Sequence, residues 1–227
     1  MARTTDTSAK RAPVAGPDAA PVAGLLLAAG GGRRLGGRPK ALLGHRGGLL
    51  VEHAARVLHE GGCDPVVVVL GAGAAEVRAR LGATRDDGPR AGPVLVDNAA
   101  WADGMGTSLR AGLAALAATD ATAAVVTLVD QPRVGAAAVA RVLAAHRKGA
   151  RLVAAAYDGV RGHPVLLARE HWAGAAEAAV GDRGARAHLA QHTAAIRLVE
   201  CADVAAPDDV DTPADLVLLE PDGPARH

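Results

Sequence analysis

Four cations crowd one short, glycine-rich stretch of this chain. In "LLLAAGGGRRLGGRPKALL", Leu25–Leu43, Arg33, Arg34, Arg38 and Lys40 stand among Gly30, Gly31, Gly32, Gly36 and Gly37. Glycines let backbone N–H groups approach an anion that a side chain would hold off. Guanidinium and ammonium groups pair with phosphate oxygens. The chemistry such a loop supports is the holding of a polyphosphate. A carboxylate, Asp130, closes the apolar run "AAVVTLVD" further along, where it would reach the same end of a sheet.

The glycine spacing matches neither of two common phosphate motifs. Gly30, Gly32 and Gly36 read GxGxxxG rather than the GxGxxG of a dinucleotide fingerprint. Gly32 and Gly37 have Walker spacing, but Arg38 follows where that loop requires Lys. The bland alternative is a solvated basic turn. The loop directly follows the first apolar strand, and its cations flank the glycines on both sides, which favours ligand binding.

The elements that must position this loop alternate along the chain. Val22–Ala28 is a continuous apolar run, "LLVEHAARVLHE" has helical spacing, and "PVVVVLG" is a β-branched run. "AAEVRARLG", "GPVLVDN", "SLRAGLAALAA", "AAVVTLVD" and "GAAAVARVLAAHRKG" continue as helix, strand, helix, strand, helix. Solid apolar strands between helices predict an α/β fold: one doubly wound, mostly parallel sheet with helices on both faces. After Arg151 the pattern loosens into the strand candidates "RLVAAAY", "HPVLLA" and "AAIRLVE" and the helix-like "PADLVLLE". The predicted organisation is a disordered leader over 1–21, one domain over 22–219 and a short tail over 220–227.

Composition narrows the function classes. A net charge of +1 in 227 residues argues against a general nucleic-acid binder, and no Phe, one Tyr and two Trp leave few stacking platforms. No segment has the uncharged apolar length of a membrane span, and the N-terminus lacks the apolar core of a signal peptide. Cys63 and Cys201 are expected to be two buried free thiols in a reducing cytoplasm. Neither lies in a zinc-ligand spacing, and His45, His53, His59 and His146 read as surface histidines.

Taken together, these segments resemble the MobA-like nucleotidyltransferases. "LAAGGGRRLGGRPKALL" resembles that family's LAxGxxxRxGxxK signature, with Arg34 and Lys40 in the basic positions and one extra residue between Gly36 and Lys40. "WADGMGTSLRAGL", "VDQP", "VRGHPVLL", "GDRGAR" and "DDVDTPADL" follow in the family's order, so the resemblance covers roughly Val22–Leu219. LAAG in place of LAGG, and "RGHPV", resemble the branch that transfers a cytidylyl group from CTP to molybdopterin. That resemblance implies CTP and a molybdopterin-type substrate, Mg2+ as cofactor, and a molybdoenzyme as possible recipient. The rivals are a guanylyltransferase, a transferase acting on another phosphorylated small molecule, and a carrier of molybdenum cofactor.

The resemblance also implies roles. Arg34 and Lys40 fall to the triphosphate, with Lys40 nearest the α-phosphate. Asp130 falls to magnesium together with Asp211 or Asp209, of which Asp211 is favoured. Asp130 could instead cap the turn "DQP", and one of Asp209 and Asp211 is expected to be the N-cap of the last helix. Ala28, Ala29, Gly30 and Gly32 would lie against the nucleotide, with Gly71, Asn98 and Ser108 completing the pocket. Gly71 and Asn98 could equally be turn residues, and Ser108 is expected to be a helix N-cap first. Arg161, His163, Asp182, Arg183 and Arg186 are the candidates for the pterin side, although a His before Pro is more often structural.

Overall fold

A computed structural model of the chain describes residues 21–83 and 92–220. Almost all of the expected leader, and all but the first residue of the expected tail, lie outside the described residues. The central sheet contains β1 (Val22–Ala28), β4 (Val66–Leu70), β5 (Val94–Asp97), β6 (Ala123–Leu128), β7 (Leu152–Tyr157), β8 (Val160–Ala168) and β9 (Ile196–Glu200). Its order is β5-β4-β1-β6-β8-β7-β9. A small separate hairpin pairs β2 (Gly44–His45) with β3 (Gly48–Leu49). In the central sheet β1 pairs in parallel with β4 and β6, β4 with β5, and β7 with β9. Only β8 is antiparallel, to both β6 and β7.

Two layers of helices cover the sheet because successive strand residues point to opposite faces. On β1, Leu26 and Ala28 join one core with α1 (Leu50–Glu60), α2 (Ala74–Ala83) and α4 (Ala136–Arg147). Ala23, Leu25 and Leu27 join the other core with α3 (Met105–Ala117), α5 (Trp172–Ala178) and α6 (Arg186–Gln191). The mostly parallel, doubly wound reading holds. Parallel strands buried on both faces show up in sequence as unbroken apolar runs, and Val66–Leu70 is buried at every position.

Several local expectations change. The segment "PADLVLLE" forms a 3-10 helix over Pro213–Leu219, and Thr212 takes its N-cap position. The Asp215 carboxylate reaches back to accept from the Thr212 N–H at 2.8 Å and from the Asp211 N–H at 3.3 Å. Neither Asp209 nor Asp211 is the cap. Helix α3 begins at Met105 with Gly104 as its N-cap, so Ser108 lies inside the first turns instead of capping them. His45 and His53 are buried, not at the surface, with ring centroids 4.6 Å apart. Cys63 and Cys201 are free and buried, as expected. No helix among the described residues is long and apolar enough to cross a membrane.

Candidate active site

Ligands of open α/β sheets bind beyond the carboxyl ends of the strands, and the charged side chains collect there. A cavity of about 200 Å³ opens at the ends of β1 and β6, walled by Ala29, Gly30, Gly31, Arg33, Lys40, Trp101, Ser108, Asp130 and Asp182, among others. The loop after β1 is shaped by glycine. Gly32 has φ +58°, and a Cβ there would lie 1.9 Å from the Arg38 carbonyl oxygen. Its own carbonyl accepts from the Leu35 and Gly37 N–H groups at 2.8 and 3.1 Å. Gly32 therefore closes the turn, while Gly30 and Gly31 line the cavity.

At the mouth of this loop a lysine joins two carboxylates from distant segments. The Lys40 Nζ donates to Asp130 Oδ2 at 2.6 Å and also to Asp211 Oδ1. Asp130 is placed by the end of β6. Asp211 arrives through the 208–211 segment, tied down by the Val210 N–H donating to the Asp130 carbonyl at 2.8 Å. Burial works against the charge on Lys40, but Asp130 and then Asp211 outweigh it, so its pKa rises above the ordinary 10.5. The ammonium is held charged. Arg34 is exposed and approaches Asp211 at 3.7 Å. Arg33, one of the four loop cations but given no role of its own by the family resemblance, lines the cavity.

Asp209 stands beside this group. Its carboxylate accepts from Gln131 Nε2 at 2.9 Å. Burial, followed by the charge on Asp130, raises its pKa above the usual carboxylate value. Asp211, not Asp209, shares the cation with Asp130. Among the other expected nucleotide contacts, Ala29 lines the cavity, whereas Ala28 is buried in the opposite core.

Gly71 and Asn98 serve the frame around the cavity. A Cβ on Gly71 would lie 2.6 Å from Trp101 Cβ and 2.7 Å from Ala29 Cβ, so the bare backbone lets these two pack together. Asn98 Nδ2 donates to Thr107 Oγ1 at 2.7 Å and to Ser108 Oγ at 3.0 Å, while its Oδ1 accepts from the Ala100 N–H at 3.1 Å. The buried amide thus fixes the turn that carries Trp101. Ser108 still lines the cavity. Trp101 is the wall residue that sequence reasoning missed. Its signal was a large ring in the polar turn "WADG".

The residues expected on the pterin side divide. Asp182 lines the cavity, and its Oδ1 accepts from the Met105 N–H at 3.3 Å at the start of α3. Arg183 is exposed on the same turn. Arg161, His163 and Arg186 form a separate neighbourhood. Burial, and then the charges of Arg186 and Arg161, lower the His163 pKa to about 4. Its ring is neutral near pH 7, and its carbonyl accepts from the Tyr157 hydroxyl at 2.6 Å.

A glycine loop, a lysine shared by two carboxylates and a cavity at the sheet's carboxyl edge define a nucleotide-handling α/β transferase. Residues 24–196 match the MobA-like NTP transferase domain, and the chain belongs to that family. It is thus a nucleotidyltransferase by family. It is 42% identical over 200 residues to a nicotine blue oxidoreductase of Paenarthrobacter nicotinovorans, covering 84% of this chain and 92% of that one. It is 36% identical over 145 residues to a probable molybdenum cofactor guanylyltransferase of Opitutus terrae, covering 63% and 64%. Among solved structures, Rv0371c of Mycobacterium tuberculosis H37Rv superposes with a TM-score of 0.71 at 29% identity, covering 88% of this chain and 98% of that one. A manganese complex of the same mycobacterial protein gives 0.67 at 28% identity, covering 88% and 97%.

Proposed function

We propose that this chain transfers a cytidylyl group from CTP to the terminal phosphate of a molybdopterin-type acceptor and releases pyrophosphate. The observation that carries the transferase part is the pairing of Lys40 with Asp130 and Asp211 on the wall of a cavity floored by the glycine loop. The choice of CTP rests on LAAG and "RGHPV" in the sequence. The acceptor rests on the same resemblance and on the molybdenum-cofactor relative. A cytoplasmic setting suits the two free thiols.

The acceptor phosphate needs little activation. A phosphate monoester with a second pKa near about 6 is largely dianionic at neutral pH and can attack without a general base. The attack forms a bond from its oxygen to the α-phosphorus and breaks the bond to the bridging oxygen of pyrophosphate, which departs with that electron pair. Catalysis is then mostly alignment and charge neutralisation. Gly30 and Gly31 let the triphosphate approach the loop backbone. Lys40 turns from its carboxylates toward the α-phosphate, and Arg34, with Arg33 beside it, takes the outer phosphates. Trp101 offers an apolar face to the base.

Two carboxylates from unconnected segments aimed at one cation form an all-oxygen donor pair, which suits magnesium. Asp130 and Asp211 would hold that ion. When bound, it would supply positive charge that offsets the charge developing on pyrophosphate. Lys40 bridges the two carboxylates in the free protein, and its turn toward the phosphates would free their oxygens. Arg161, His163 and Arg186 lie outside the cavity walls and are assigned to the acceptor, the neutral imidazole being within electrostatic reach of both guanidinium groups.

The name borne by the 42% identical relative supports a second reading, in which the chain carries out an oxidation–reduction rather than a nucleotidyl transfer. One experiment separates the two. Purified protein is given magnesium, molybdenum-loaded molybdopterin and CTP, GTP or ATP, and pyrophosphate is measured. Parallel samples receive reduced nicotinamide dinucleotides and a quinonoid dye. Pyrophosphate from CTP supports the proposal, and pyrophosphate from GTP shifts it to the guanylyl transfer. Dye-dependent oxidation of the nicotinamide without pyrophosphate overturns it.

A further inference from the structure

Away from the nucleotide cavity, three histidines converge. His188 and His192 are spaced i, i+4 at the end of α6, which puts them on one face of the helix. His171 comes from the 3-10 turn Arg169–His171 that leads into α5. One ring nitrogen from each of the three lies within 4.8 Å of the other two. His171 Nδ1 is 3.1 Å from His188 Nε2. The ring centroids are 5.3 Å apart for His171 and His188, 5.3 Å for His171 and His192, and 4.3 Å for His188 and His192.

We propose that His171, His188 and His192 form a binding site for a divalent transition-metal ion, with zinc the best fit, that clamps α6 to the turn before α5. Imidazole nitrogens are the ligands such ions favour, and three of them with one open position are a known zinc donor set. With Zn–N bonds of about 2.0–2.1 Å, tetrahedral ligands stand about 3.3 Å apart. The 3.1 Å separation of His171 Nδ1 and His188 Nε2 is already close to that value. Two ring nitrogens at that distance share one proton, and a metal ion takes its place.

The surroundings prepare the donors. His192 Nδ1 donates to the His188 carbonyl at 2.9 Å, which leaves its Nε2 lone pair free to bind. His188 is 5% exposed. Its ring is seated on bare backbone at Gly174, where a Cβ would lie 2.9 Å from Cε1. The carboxylate of Glu170 faces His171 electrostatically and adds negative charge nearby. Helix α6 begins at Arg186, so an ion held here would also steady one of the residues assigned to the acceptor.

The test uses the full chain, without a polyhistidine tag, stripped by a chelator and titrated with zinc by calorimetry and with cobalt by visible absorption. The expected result is one zinc per chain and the intense cobalt bands of a tetrahedral nitrogen site. His171→Ala and His192→Ala should each weaken zinc binding by at least about tenfold, with His59→Ala on α1 unchanged. His171→Gln, which keeps the ring's bulk, covers the case in which an alanine variant fails to fold. An Asp130→Asn variant should bind zinc as the parent does. No binding, or binding that these histidine variants leave intact, overturns the proposal. So does binding lost in Asp130→Asn.

Discussion

Lys40 and His188 each stand at the centre of three titratable groups, and opposite means hold the two clusters. Around Lys40 the partners carry opposite charge, and burial of the ammonium is tolerated because Asp130 and Asp211 more than compensate. Around His188 the partners are of one kind, two further imidazoles with ring centroids 4.3 and 5.3 Å away. The first cluster can release its cation to a more negative ligand. The second can only accept one. The first lies on the cavity wall. The second lies where α6 meets the turn before α5. A cluster that exchanges partners suits turnover, and a cluster that gains one suits a clamp.

The sharpest way to break this contrast is to remove the exchanging group. Lys40→Ala should lower turnover by about 10²–10³-fold, the cost of losing one preorganised charge at the reacting phosphate, with a much smaller change in the nucleotide KM. Steady-state pyrophosphate release checks both. If KM rises and kcat holds, Lys40 only binds ground-state nucleotide, and the exchange reading fails.

Next come the carboxylates. Asp130→Asn should raise the magnesium concentration needed for half-maximal rate and cost about 1–3 kcal/mol of stability, because the buried ammonium loses its principal partner. Asp211 is 43% exposed at its side chain, so Asp211→Asn should cost under about 1 kcal/mol. Urea unfolding of the two variants decides whether the partners differ as their burial suggests.

A smaller effect concerns Trp101. Its replacement by alanine should weaken nucleotide binding by about tenfold, within the roughly 1–3 kcal/mol that one base stacking on a ring contributes, and leave kcat at saturation nearly unchanged. Titration of the intrinsic fluorescence lost with Trp101, or calorimetry, measures it.

A pH-dependent effect tests the idea that buried histidines stay neutral, using the pair at His45 and His53. The His53 pKa is lowered to about 4, first by burial and then by His45, Arg46 and Arg56. The unfolded chain therefore binds a proton that the folded chain refuses. This stability is fully present above about pH 6.5 and is lost as pH falls toward 4, at up to about 1.4 kcal/mol per pKa unit. His53→Gln should flatten that part of the pH–stability curve. An unchanged slope would assign the acid sensitivity to other groups, such as His163.

Much of this molecule could be read locally. Unbroken apolar runs gave away β1, β4 and β6, because strands buried on both faces have no polar side to show. The glycine loop and Asp130 were legible because each follows directly on such a strand, and strand ends are where ligands bind. Arg33 and Arg34 were not separable, since adjacent loop residues differ only in where the turn at Gly32 aims them. Ser108 misled because a serine before an apolar helix reads as a cap, whereas Gly104, with φ +111°, takes the cap position four residues earlier.

Short-range sterics and burial, written into neighbouring residues, determine the elements, their order and the shape of the glycine loop. Only the packed chain decides the rest. Asp211 reaches Lys40 across 171 residues, and nothing in "DDVDTP" says which carboxylate will arrive. His171 meets His188 across 17 residues because α5 and α6 fold against each other, and the sequence analysis did not single out these histidines. The antiparallel entry of β8 between β6 and β7 likewise depends on pairing between distant strands. Local patterns record what each segment prefers. The meeting of distant side chains depends on how all those preferences are satisfied at once.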